Sequence, residues 1–160
     1  MISACADILI ERPAEPVFSF VVLDFFKNYQ RWSPEVECLE LLSPGPVCVG
    51  STGRQVRVDQ GRRTDTTFKI VTLEPLQCLE FLELGERYRI RYALEPMPLE
   101  PDGAEAASMH TRLILSLDLK RLSLIMRPFE TLIRTAAQEG AERMVESIKG
   151  LVELEVPARV

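Results

Sequence analysis

One amphipathic helix near the end of the chain, preceded by residues that read almost entirely as strands, sets the strongest limit on what this sequence can fold into. Phe129, Ile133, Ala136, Gly140, Met144, Ile148 and Val152 recur every three or four residues, and Leu132, Ala137, Ala141, Val145 and Leu151 widen the stripe. Glu130, Arg134, Glu139, Glu142, Arg143, Glu146 and Lys149 take the other face. The spacing predicts a helix over 129–152, about 36 Å long at the usual rise per residue.

Upstream, Ala6, Ile8 and Ile10 alternate with Asp7, Leu9 and Glu11, predicting a first strand that ends at Arg12-Pro13. Val17, Phe20, Val21 and Asp24 then fall at helical spacing, with Pro16 tolerated in a first turn where its missing N–H would be unpaired anyway. A second short helix over Phe25 to Trp32 stops at Ser33-Pro34, because a residue before proline is pushed out of the α region. Extended runs follow over 36–42, 51–59, 63–73, 77–84, 87–95 and 108–119. They are divided by Ser43 to Pro46, Gln60-Gly61, Glu74-Pro75, Gly85-Glu86 and a Pro-rich loop over 96–106 with the composition of a mobile connection. Short connections favour antiparallel neighbours, since parallel pairing needs long crossovers. The expected fold is α+β: a single domain with a seven-stranded antiparallel curved sheet, two short helices and a long C-terminal helix on one face.

Seven strands make a sheet roughly 29 Å wide, whereas a helix with its side chains is only about 10–12 Å across. Part of the concave face therefore lies beyond the terminal helix, to be filled by bulky side chains or left as a cavity. Strand parity, taken from Val56 and Val58, Phe68 and Ile70, Leu79 and Phe81, and Leu113 to Leu119, assigns Arg54, Thr64, Thr66, Tyr88, Tyr92 and Thr111 to that face. An apolar wall with sparse polar groups suits a small-molecule pocket. A filled core, with tyrosine hydroxyls at the rim and Arg54 snorkelling out, is the competing expectation.

Net charge of −5 and a pI near 5.1 leave no excess of cations to neutralise phosphates, which argues against nucleic acid and disfavours docking on anionic membranes. No apolar run approaches the length of a bilayer span. Cys5, Cys38, Cys48 and Cys78 form no CxxC pair and read as reduced small core residues, consistent with a cytoplasmic protein without a metal or other cofactor. His110, the single histidine, shares parity with Arg112, Ser116 and Asp118 and reads as a surface residue. Arg87, Arg89 and Arg91 read as a solvated charge ladder on the convex face. Arg54 reads inward, to meet either a structural carboxylate such as Asp24 or an anionic ligand.

Several segments together resemble a known group. They are Ile10 to Phe18 (IERPAEPVF), Asn28 to Pro34 (NYQRWSP), Val49-Gly50 to Arg54, Ile70 to Pro75 (IVTLEP) and Ile148 to Glu153 (IKGLVE). In this order they resemble the SRPBCC or START-related superfamily of polyketide cyclase/dehydrase and lipid-transport proteins. The resemblance implies a helix-grip fold, in which the sheet grips the C-terminal helix over a hydrophobic cavity, and places Trp32 at the cavity end. It implies less about chemistry, because that superfamily mixes carriers, cyclases, hydratases and regulators.

The first functional expectation is a protein that binds a small hydrophobic, lipid- or polyketide-like ligand. Trp32, Phe68, Phe81, Tyr88, Tyr92, Phe129, Ile133 and Met144 would shape the cavity, and Arg54, Thr66 and Thr111 would orient a polar end of the ligand. The second is a cyclase- or dehydratase-type enzyme in which Tyr88, Tyr92 and Arg54 polarise a carbonyl, although no inward general base is evident. The third is a protein-interaction module with a filled core. A homodimer is compatible with all three.

Overall fold

The computed structural model describes residues 1–98, 109–120 and 124–158. The described residues form a seven-stranded antiparallel sheet in the order β1-β7-β6-β5-β4-β3-β2. Its strands are β1 (Ile2–Ile10), β2 (Val36–Leu41), β3 (Thr52–Asp59), β4 (Arg62–Glu74), β5 (Cys78–Glu83), β6 (Tyr88–Pro98) and β7 (Met109–Leu119). From β2 to β7 the sheet is a meander, and β1 adds to its far side by pairing with β7. Gln60 and Gly61 both adopt positive φ, 50° and 81°, which gives the β3–β4 hairpin the twist that a two-residue loop needs. β6 runs three residues past its expected end, pairing Pro96 to Pro98 with Thr111 to Met109. The rest of the Pro-rich connection lies outside the described residues.

Between β1 and β2 the chain forms α1 (Ala14–Phe18), a π-helical turn over Ser19–Leu23, and α2 (Phe25–Trp32). The expected single helix over 13–24 is thus widened halfway, where the Asp24 N–H reaches back five residues to the Ser19 carbonyl at 2.9 Å. The added residue lets Phe20, Val21 and Val22 all point into the core before α2 starts.

The terminal helix, α3 (Glu130–Glu155), begins after a 3₁₀ turn over Arg127–Phe129 that contains Pro128. It ends where Val156, ahead of Pro157, turns extended. Its buried residues are Ala141, Val145, Ile148 and Val152, from the middle of the helix onward. Instead of crossing the sheet, α3 runs along the β1 edge, against β1, β7 and α2. Side chains of α3 occupy the edge strand's open hydrogen-bonding groups. Gln138 accepts from the Cys5 N–H and donates to the Cys5 carbonyl, Lys149 donates to the Leu9 carbonyl, and Glu153 accepts from the Glu11 N–H, all within 3.2 Å. An edge closed in this way cannot recruit another strand.

The apolar stripe of α3 is therefore only half used. At its start, Phe129 is 50% exposed and Leu132 68% exposed. Of the four cysteines only Cys78 is buried, and none is in a disulfide, so the expectation of four core cysteines holds for one.

Candidate functional site

The centre of the concave face is closed by α2. Phe25, Tyr29 and Trp32 lie on one side of that helix and descend onto Phe68, Phe81 and Tyr92 from β4, β5 and β6. Phe25 sits at the hub, with its ring centroid 4.7 Å from Tyr29 and 5.4 Å from Phe81. All six rings are at most 2% exposed. Rings packed this way fill the space between helix and sheet at the density of a protein interior. The Trp32 Nε1–H donates to the Tyr92 hydroxyl at 3.2 Å, and burial pushes that phenol's pKa well above its usual value.

Gly53 permits this arrangement. A Cβ there would stand 2.5 Å from Phe68 Cζ and 2.8 Å from Phe26 Cε1, so only glycine lets the rings lie flat on β3. Since Gly53 faces inward, so do Gln55 and Arg57. Arg54 lies on the convex face, with Nη2 2.7 Å from Asp65 and Nη1 3.6 Å from Glu40. The expectation of an inward Arg54 is corrected. Its parity came from Val56, which is buried on the convex side, outside the main core cluster.

The face changes character toward the end of the sheet that carries Ile2, Leu119 and Tyr88, which are level across β1, β7 and β6. Leu113 and Leu115 are fully buried, but Leu117 and Leu119 on the same side of β7 are partly exposed. Here a polar chain crosses the floor. The Arg57 Nη1–H donates to the Tyr29 hydroxyl at 3.3 Å, which donates to Gln55 Oε1 at 3.3 Å. Gln55 Nε2 donates in turn to the Tyr88 hydroxyl, which lies 2.8 Å from Thr66 Oγ1. The bonds share one direction, so each polarises the next.

Arg57 stays charged at the head of this chain: burial works against its cation, and Tyr29, Asp59 and Glu35 outweigh that cost. Burial raises the pKa of both Tyr29 and Tyr88, so they are neutral hydroxyls at physiological pH. At the far end, the Tyr88 and Thr66 hydroxyls share one hydrogen bond between two protons. One O–H is therefore free to turn toward a guest.

The first half of α3 bounds the same region. Gln138 is level with Cys5, so Glu130 lies about 12 Å further along the helix, and Met1 about 13 Å further along β1. Ile133, Ala137, Gly140 and Met144 are partly exposed along this stretch. A depression of about 410 Å³ bounded by Met1, Gly85, Glu86 and Lys120 opens at the same end. Partly exposed Leu117 and Leu119 and the Tyr88–Thr66 pair lie toward this end of the concave face, which makes it the candidate site, although none of them lines the depression itself.

The expected residues are divided by this geometry. Thr66 and Tyr88 meet at the end of the polar chain, and Ile133 and Met144 are partly exposed on α3. Trp32, Phe68, Phe81 and Tyr92 belong to the packed centre. Thr111 faces inward but donates to the Arg12 carbonyl at 2.8 Å, tying β7 to the end of β1. Phe129 stands at the exposed start of α3. Arg89 and Arg91 flank Glu80 on the convex face, whereas Arg87 precedes β6 and pairs with the buried Glu83 at 2.8 Å. Sequence reasoning missed Tyr29, Gln55 and Arg57. The inward glycine at position 53, two residues from Gln55, was the available signal.

A family model described as polyketide cyclase / dehydrase and lipid transport matches residues 1–153. Among solved structures the chain is similar to TTHA0849 from Thermus thermophilus, with 19% identity, TM-score 0.70, and 97% of this chain and 99% of that one covered. It is similar to a START superfamily protein from Mycobacterium smegmatis, with 20% identity, TM-score 0.69, and 96% and 99% covered. It is also similar to the Zhui aromatase/cyclase from Streptomyces sp. R1128, with 16% identity, TM-score 0.70, and 98% and 96% covered. No curated protein sequence matches. At these identities the likeness establishes the helix-grip fold.

Proposed function

Because the chain belongs to the polyketide cyclase/dehydrase and lipid transport family, we propose that it binds a small hydrophobic molecule carrying a hydrogen-bond-accepting oxygen, in a trough between α3 and the Tyr88 end of the sheet. The observation that carries this reading is the directed polar chain from Arg57 to Tyr88 and Thr66, ending where Tyr88 is level with partly exposed Leu119. Apolar walls supply affinity, and the terminal hydroxyls orient the guest's oxygen. Binding is favoured over cyclase or dehydratase turnover because the carboxylates adjoining the chain are already committed. Glu83 is held by Arg87, and Asp59 by Arg57. A base locked in an ion pair is a poor proton acceptor.

An acylnaphthylamine dye, an apolar fluorophore with one carbonyl, tests this directly. Ile133→Trp fills the trough and should weaken dye binding by about tenfold or more, equivalent to about 1.4 kcal/mol, with the fold intact by circular dichroism. Undiminished affinity in the folded variant would overturn the proposal.

A further inference from the structure

Two guanidiniums, Arg57 and Arg87, stand close enough to Tyr88 for their charges to be felt there, and both are already held. Arg57 gives its Nε–H and an Nη2–H to the Asp59 carboxylate at 3.0 Å each, and an Nη1–H to Tyr29. Arg87 gives its Nε–H and an Nη2–H to Glu83 Oε1 at 3.3 and 2.8 Å, and its backbone N–H to Glu83 Oε2 at 3.1 Å. Glu83 is only 4% exposed. It is level with Phe68 of β4 and alternates with Phe81 along β5, so it faces the concave side. Its carboxylate stands directly behind Gly85, which borders the depression of about 410 Å³: a Cβ at Gly85 would lie 2.9 Å from Glu83 Oε2. The negative charge reaches Tyr88, where it adds to burial in keeping the phenol protonated.

Building on the trough reading, we propose that this end of the concave face selects a neutral guest, a ketone or an ester, over a carboxylate, and that Glu83 sets the choice. The donors left for a guest at Tyr88 and Thr66 are uncharged hydroxyls, which suffice for a carbonyl oxygen. A guest carboxylate would give up its hydration with no unpaired guanidinium to offset the loss, and would enter beside a buried anion. Discrimination of this kind comes from what a site opposes as much as from what it attracts. Lys120, Glu86 and the α-amino group of Met1 also border the depression, but all three are exposed. Water and salt screen them there, so the buried groups decide.

Displacement of the acylnaphthylamine dye by methyl naphthyl ketone and by naphthoate provides the test. The two probes are nearly isosteric, a methyl group in one standing where the other has a charged oxygen. At neutral pH the ketone should displace the dye at a roughly tenfold or more lower concentration than naphthoate. The ketone's greater hydrophobicity contributes to that ratio, so the decisive reading is how the ratio changes. Glu83→Gln removes the anion and leaves Arg87 without a counter-ion, and the ratio should narrow roughly tenfold or reverse. Should the single variant fail to fold, Glu83→Gln/Arg87→Met removes both charges together, and its ratio should still narrow, by less. Naphthoate that binds the wild type as tightly as the ketone, or a ratio unmoved in the folded variants, overturns the proposal. Failure of the trough reading is distinguishable. Ile133→Trp should weaken both probes, and a dye indifferent to it ends the trough reading and this proposal together. Equal displacement by both probes, with the dye still sensitive to Ile133→Trp, ends this proposal alone.

Discussion

Beneath α2 six aromatic rings from four elements close the centre of the concave face, and toward the Tyr88 end the same face carries hydroxyls and an amide in place of rings. One sheet presents both surfaces. The difference arises from what each helix brings. α2 is short and turns three aromatic side chains inward within eight residues. α3 brings alanines and single aliphatic residues at its start and buries side chains only from Ala141 onward. A face is closed by the volume of the side chains delivered to it, so a longer helix can leave more of it open.

The largest expected effect sets the two regions side by side. Phe25→Ala removes the hub of the ring cluster and should cost about 3–5 kcal/mol by cavity formation. Leu132→Ala, at a residue 68% exposed, should stay within about 0.5 kcal/mol. Chemical denaturation of both variants measures the contrast, and similar losses would break it. Next in size is the pair of tyrosines. Tyr92→Phe leaves the buried Trp32 N–H without its acceptor and should cost about 1–3 kcal/mol. Tyr88→Phe, at a partly exposed position where water can substitute, should cost less than about 1 kcal/mol. Trp32 is the only tryptophan, so its emission should report the first change and not the second.

The smallest effect depends on pH. Arg87 holds the Glu83 carboxylate below the ordinary carboxylate range. The stabilisation is therefore present above the unfolded-state value of about 4.5 and is lost as pH falls through the lower folded value. Thermal midpoints of wild type and Glu83→Gln should differ at neutral pH by the equivalent of about 1 kcal/mol and converge in acid. A gap that persists in acid would remove the ion pair as the anchor of the Tyr88 end.

Much of the fold was legible because periodicity and turn chemistry are local. Residues 25–32 formed the expected helix between Asp24 and Ser33-Pro34, and six extended runs became strands within a few residues of their expected ends. The candidate site was only partly legible. Parity placed Thr66 and Tyr88 correctly, since Phe68 and Ile90 on their strands are core residues. It failed on β3 because Val56 is buried on the wrong side, and an alternating pattern has no means of saying which face is concave. The apolar stripe of α3 was visible from end to end, but which half of it would be covered was not.

The sequence alone determined the elements, their order and the antiparallel meander, because each depends on neighbours a few residues apart. Tertiary structure decided the rest: α3 along β1 instead of across the sheet, α2 as the plug, and Arg57 and Gln55 in place of Arg54 on the inner face. Those outcomes depend on which side chains, distant in sequence, compete for one concave surface. That competition is settled by volume and by hydrogen-bonding partners that exist only once the sheet has closed.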